Sequence, residues 1–321
     1  MANVLEVLRL TRRTALSALF FASGLTKLYA ANEPSPAPIR QRSRDLLKRV
    51  VRWGCQYQKV DIDAIASSTL DMIVVDPSIN DDLLLFIDRE QCKVLQKKAD
   101  GGRRIVLAYI SVGEADTKRW YWPSKWRQQA PEWLGAQNPL WPGSYSVKYW
   151  DAGWRSLVFE GQDSILSRIL QSGFDGVVLD RVDGYQDWRD TRASASEDMV
   201  DLVVSLAATA RSHDPNFIVV IQNAEEILDR DRLVDVIDGH NKESLLTGLK
   251  SKNSINSAED IEWSLGHLRR VQQKGVGTFA TEYLSDQSMR EDVRKRLLDL
   301  GFIPFFADRA LDLLPDRDAR S

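Results

Sequence analysis

The chain has 321 residues, of which 43% are hydrophobic and 28% charged, and its formal net charge is −3. That composition excludes a globally disordered chain, and the acidic balance argues against a nucleic-acid binder, which would usually be basic. Cys55 and Cys92 are the only cysteines; two give no disulfide framework, so buried thiols are expected, with a single bridge as the alternative.

The start of the chain reads as an address. Arg12-Arg13 precede an apolar run from Ala15 to Leu25, and Tyr29-Ala30-Ala31 follow Lys27. A basic start, a short apolar segment and a small-residue end describe an export signal, and the arginine pair is of the twin-arginine kind. Residues 1–31 are expected to be removed on export, leaving a periplasmic or secreted protein without membrane insertion. An ordinary secretory signal or an uncleaved anchor are the alternatives, although the run is short for a bilayer span. Pro34, Pro36 and Pro38 make residues 32–42 an expected linker. Residues 43–321 are then the folded body.

That body alternates short apolar runs with helical patterns, the mark of a parallel α/β fold. Eight strands are expected: Trp53–Tyr57, Met72–Val75, Ile105–Ile110, Gly176–Leu179, Phe217–Ile221, Val234–Ile237, Gly277–Ala280 and Phe302–Phe306. Helices are expected over Asp81–Lys98, Asp163–Gln171, Ser196–Ser212, Ser257–Lys274 and Gln287–Leu300. Eight strands in a body of this size predict a (β/α)8 TIM barrel in one domain. An open doubly wound sheet is the alternative, but the chain has neither a Gly-rich first turn of the dinucleotide-binding kind nor a P-loop.

Polar residues end almost every strand: Asp76; Ser111 and Glu114; Asp180 and Asp183; Gln222 and Asn223; Asp238, His240, Asn241 and Glu243; Glu282 and Tyr283; Asp308 and Arg309. One such residue would mean only a helix cap. Their recurrence predicts one acidic cleft at the C-terminal rim of the barrel, where such folds keep their active sites. The connection after the third strand, from Ala115 to about Arg155, holds seven of the ten tryptophans. Long loops at that face are usually functional. Aromatic faces suit sugar rings, so Trp120, Trp122 and Trp150 are expected to face the cleft, and Trp133 to be structural. The alternative is that the rings form a small core of the insertion itself.

No Gly-x-Ser-x-Gly elbow and no zinc-binding histidine pattern occurs. Abundant carboxylates and aromatic walls point instead to glycoside hydrolysis by two carboxylates, without metal or cofactor. Several stretches together carry a resemblance: Tyr109-Ile110-Ser111-Val112-Gly113-Glu114-Ala115, Asn138-Pro139-Leu140-Trp141-Pro142-Gly143, Val147-Lys148-Tyr149-Trp150, Gly173 to Asp180, Gln222-Asn223, Glu243-Ser244 and Glu282-Tyr283. From about Trp53 to Leu313 the chain resembles glycoside hydrolase family 114, the endo-α-1,4-polygalactosaminidase group. The resemblance implies a barrel that cleaves within α-1,4-linked galactosamine polymers. It also implies two essential carboxylates after the fourth and sixth strands, carried over as Asp180 and Glu243, with Glu282 as the substitute if the sixth-strand spacing slips. By analogy of fold, Asp180 is the nucleophile or stabilising carboxylate and Glu243 the acid/base. Asp76, Tyr109, Glu114, Asp183, Gln222 and Glu282 are expected to hold the polysaccharide. A barrel that binds glycan without cutting it is the second reading.

Overall fold

The computed structural model describes residues 39–79 and 82–314. The export signal expected over 1–31 lies outside the described residues. Of the expected linker, residues 39–42 are described, and they open a helix, Ile39–Leu47.

Eight parallel strands follow one another around a single sheet: β1 (Trp53–Gln56), β2 (Met72–Val75), β3 (Ile105–Ser111), β4 (Gly176–Asp180), β5 (Ile218–Gln222), β6 (Gly239–Glu243), β7 (Gly277–Glu282) and β8 (Ile303–Phe306). The strand order equals the chain order, so the sheet curls into a (β/α)8 barrel as predicted. β8 meets β1 through side chains. The Trp53 indole N–H donates to the Ile303 carbonyl at 2.9 Å, and its ring packs against Phe279 and Phe305. The interior is apolar, with Cys55, Met72, Val74, Leu107, Val178, Val220 and Phe279 buried within it. Leu47, at the end of the first helix, is fully buried against this interior core.

A recurring aspartate ties the N-terminal rim. Asp71, Asp175 and Asp238 stand just before β2, β4 and β6. Each accepts backbone N–H groups of the preceding strand or of its entry: Val51 and Arg52, Val106, and Val219. At that face polar residues stabilise the fold rather than serve chemistry. β4 shows how tightly the strands approach. Its helix ends at Gly173 in the left-handed region (φ +82°), and a Cβ on Gly176 would lie 2.1 Å from the Ile218 carbonyl oxygen.

Two expected elements differ. The sixth strand is Gly239–Glu243, not Val234–Ile237, whose first residue ends a short helix, Asp231–Val234. Asp238 therefore precedes the strand at the opposite rim, paired with Arg211 at 2.6 Å. The stretch Asp81–Lys98 is not one helix. Asp82–Phe86 pairs as a strand with Ser78–Ile79, and the helix Arg89–Leu95 starts only at the Asp88 capping box.

Candidate active site

Asp180 ends β4 and Glu243 ends β6, with β5 between them. Asp180 Oδ2 accepts from the Tyr109 hydroxyl on β3 at 2.7 Å. Its Oδ1 accepts from Gln222 Nε2 on β5 at 3.1 Å and from the Arg181 backbone N–H at 2.8 Å. Glu243 Oε2 accepts from Asn223 Nδ2 at 2.9 Å, and its Oε1 takes the Tyr283 hydroxyl. Burial, and then the charge of Glu243, push the Asp180 carboxyl up to about 6, against the pull of the Tyr109 and Arg181 donors.

The donors around Asp180 have a direction. Thr281 on β7 donates its hydroxyl to Asn241 Oδ1 at 3.2 Å. Asn241 Nδ2 donates to Gln222 Oε1 at 3.0 Å, and Gln222 Nε2 donates to Asp180. The three donors of this row are buried. An amide nitrogen and a backbone N–H cannot accept, so Oδ1 of Asp180 is held as a charged acceptor. Only Oδ2, facing a hydroxyl that can turn, has room for a proton.

Asn223 does the same for Glu243. Its Oδ1 accepts the Glu243 backbone N–H at 3.0 Å, which fixes its Nδ2 toward the carboxylate. A proton on Glu243 is then best placed on Oε1, beside Tyr283. Asn223 sits in the left-handed region (φ +54°), as do Arg181 after β4 and Ser244 after β6. Its carbonyl contacts His240 Nε2 at 2.8 Å. That contact requires the proton on Nε2.

His240 is fully buried, and burial lowers its pKa to about 4. The unfolded chain takes up that proton below its ordinary 6.5, so this part of the stability is complete above pH 6.5. It is lost as pH falls toward 4, by roughly 2–3 kcal/mol. Urea midpoints between pH 7 and pH 4 should fall more steeply for wild type than for His240→Gln, which keeps a donor but does not titrate.

The rim is less acidic than its sequence. Arg119 binds both oxygens of Asp76, at 2.8 and 2.6 Å. Arg181 pairs with Glu114 (3.0 Å), Asp183 (3.2 Å) and Asp187 (2.8 Å), and leaves Asp180 to its backbone N–H. Asp76, Glu114 and Asp183 are thus committed to arginines rather than free for a ligand, although Glu114 still borders a cavity with Tyr109, Ser111, Asp116, Arg119 and Trp120. Gln222 is buried and serves Asp180. Glu282 is fully buried and accepts from the Leu246 and Thr247 backbone N–H groups (2.8 and 3.0 Å) and from the Thr247 hydroxyl. It holds the loop after β6 and does not face the cleft. Neither Asp180 nor Glu243 forms an ion pair among the described residues. No cluster of three or more His, Cys, Asp or Glu side chains is placed to hold a metal there. No described helix is long and apolar enough to cross a membrane. Cys55 and Cys92 are free and buried.

The tryptophans behave mainly as a core of the insertion. Its three strands, Glu114–Asp116, Ser144–Val147 and Leu134–Gln137, form a small antiparallel sheet. The rings of Trp122, Trp126, Trp133 and Trp154 pack in sequence at 4.9–5.2 Å between centroids. Trp122 also lies on Tyr145, and Trp150 is fixed between Trp188 and the Arg192 guanidinium. Neither is a free platform. Trp120 borders the Tyr109 cavity, but one face is covered by Arg168 at 3.7 Å. Trp133 is buried, as expected. Three residues that the sequence placed at the rim or in the insertion, but to which it gave no role, are Tyr283, which contacts Glu243; Asn223, which orients it; and Trp141, 56% exposed on the turn that Asn138 ties to Glu114 at 2.7 Å. The polar pairs Gln222-Asn223 and Glu282-Tyr283 were the available signal.

A parallel barrel with two carboxylates at its C-terminal rim, each held by a tyrosine, has the architecture of a glycoside hydrolase. The chain belongs to glycoside-hydrolase family GH114, whose profile matches residues 36–319. It is 33% identical to the uncharacterized protein MJ1477 of Methanocaldococcus jannaschii, over 82% of this chain and 77% of that one. It is 31% identical to an uncharacterized protein of Deinococcus radiodurans, over 88% and 90%. Among solved structures, the fold is similar to the glycoside hydrolase domain of PelA from Pseudomonas aeruginosa (TM-score 0.65, 19% identity, 84% of this chain and 100% of that one). It is also similar to Aspergillus fumigatus Ega3 in complex with galactosamine (TM-score 0.59, 20% identity, 82% and 94%).

Proposed function

We propose that this protein is an exported endo-glycosidase that cuts α-1,4-linked galactosamine-type polysaccharides with Asp180 and Glu243. The observation that carries the reading is the opposed pair itself. Each carboxylate has one oxygen fixed by a side-chain amide and the other on a tyrosine hydroxyl, and Asp180 also accepts the Arg181 backbone N–H, the extra donor that makes it the better ionised partner and leaves Glu243 the proton-carrying one. In the reaction, Glu243 gives its proton to the glycosidic oxygen as that bond breaks. The Asp180 carboxylate meets the positive charge that develops at the anomeric carbon, by attack or by charge alone. Water then completes hydrolysis, and its proton returns to Glu243. The galactosamine held by Ega3 supports the amino-sugar class. The signatures of a non-catalytic binding barrel, a carboxylate turned away or locked in an ion pair, are not found in either residue.

The test is to incubate residues 32–321 with polygalactosamine of graded acetylation and count new reducing ends. Because Asp180 must be ionised, kcat/KM should fall tenfold per pH unit below about 6. Tyr109→Phe removes a donor that lowers the Asp180 pKa, so the acid limb should move to higher pH. An unchanged limb would remove Asp180 from the chemistry.

A further inference from the structure

The tyrosine beside Glu243 also walls a separate cavity. It measures about 210 Å³ and is lined by Gly248, Lys252, Tyr283, Ala307, Asp308 and Arg309. Its walls are anchored. Asn253, in the left-handed region, accepts from the Ser285 backbone and hydroxyl (2.9 and 3.1 Å), which ties the Lys252 loop to the chain after Tyr283. The Ala307 N–H donates to the Glu282 carbonyl at 3.1 Å. The Arg309 guanidinium lies 4.7 Å over the Tyr283 ring. This cavity carries two cations against the single carboxylate of Asp308. The cavity walled by Tyr109, on the Asp180 side, carries Asp116, a Glu114 committed to Arg181 and an arginine committed to Asp76, so among the described residues no free cation lines it. The cleft is therefore electrically asymmetric about the scissile position, and each end is coupled to one carboxylate by one tyrosine.

We propose that the Lys252–Arg309 cavity is the sugar subsite on the leaving-group side of the cut, and that it takes an N-acetylated hexosamine and turns away one with a free ammonium. This rests on the reading of Glu243 as the acid, because the acid stands beside the leaving oxygen. The physical ground is like-charge repulsion. An ammonium group near Lys252 and Arg309 meets net positive charge, whereas an acetamide is neutral and offers a carbonyl to both donors and an N–H to Asp308. The size suits one ring and its substituent, below the roughly 300 Å³ at which drug-sized pockets begin.

The test uses galactosamine oligomers of mixed acetylation and identifies the new non-reducing ends by mass spectrometry. With wild type, acetylated residues should exceed free amines at those ends at least tenfold. With Lys252→Glu and with Arg309→Glu the excess should vanish or reverse. The Lys252 change leaves Tyr283 stacked on Arg309 and so separates charge from packing. Equal ends with wild type, or an excess that survives in both variants, overturns the proposal. If no oligomer is cut, the hydrolase reading fails on its own, and retention of the same oligomers decides the subsite. A preference for acetylated chains that is lost in the variants keeps it, and equal retention removes it.

Discussion

Glu243→Gln should lower kcat on an amino-sugar polymer by about 10²–10⁴, the usual contribution of a positioned acid, with little change in KM or melting temperature. The fold should tolerate the change because the amide satisfies the same partners. Its oxygen still accepts from Asn223 Nδ2, and its nitrogen faces the Tyr283 hydroxyl, which turns to accept. What is lost is the proton for the leaving oxygen. A substrate whose leaving group needs no proton, such as an aryl glycoside with an acidic phenol, should therefore recover most of the rate in this variant. Asp180→Asn should lose at least as much on the polymer and recover nothing on the aryl substrate, because charge at the anomeric carbon is still unmet. The two substrates together separate the roles. Recovery in the Asp180 variant instead would exchange them.

The second large effect is on stability. Glu282→Ala should destabilise the protein by about 3–5 kcal/mol, read as a lower urea midpoint with an unchanged slope. The carboxylate lies fully inside and receives three donors, all from Leu246 and Thr247, themselves buried. Removing it orphans those groups and opens a cavity under the loop that leaves Glu243. Burial holds the Glu282 carboxyl above its usual range, against the pull of these donors, so it resembles a catalytic acid in titration but not in access. Activity per folded molecule should stay within a few-fold of wild type. A pure loss of kcat with normal stability would return Glu282 to the acid role.

The barrel was largely legible because most of its strands carry an apolar stretch buried on both faces, so continuous runs such as Val177-Val178-Leu179 mark them. The sixth strand breaks that rule because its side chains are polar on both faces. Asn241 and Glu243 point to the amide row and the cleft, while Lys242 on the other face pairs with Glu225 at 2.8 Å and His240 holds Asn223. No apolar run remains, and the apolar residues just before it belong to a helix turn. The aspartate at Asp238 was misplaced with it.

The site was half legible. Asp180 stood out through motif and strand position, Glu243 through motif alone. Which other carboxylates stay free could not be read, because their neutralising arginines come from distant segments. Arg119 lies 43 residues beyond Asp76. Arg181 is a neighbour of Asp180 in the chain, but its side chain turns to Glu114, Asp183 and Asp187. A Cβ on Gly113 would lie 2.3 Å from the Arg181 carbonyl oxygen, so the two loops fit only because that residue is glycine. The tryptophan count suggested a sugar platform, yet rings that close together satisfy one another first.

The row from Thr281 through Asn241 and Gln222 to Asp180 also bears on how this barrel diversifies. Asn241 and Gln222 each accept from one neighbour and donate to the next, Thr281 only donates and Asp180 only accepts, so one polarity runs through all four positions. A carboxylate in place of Gln222 would set two anions face to face, and an aliphatic residue at Asn241 would strand the Thr281 hydroxyl on one side and the Gln222 amide oxygen on the other. A single replacement that removes or reverses a donor leaves a buried polar group unpaired, while coordinated replacements that keep one direction throughout do not. A library that randomises the positions jointly therefore reaches combinations that a walk of individual substitutions reaches only through destabilised intermediates.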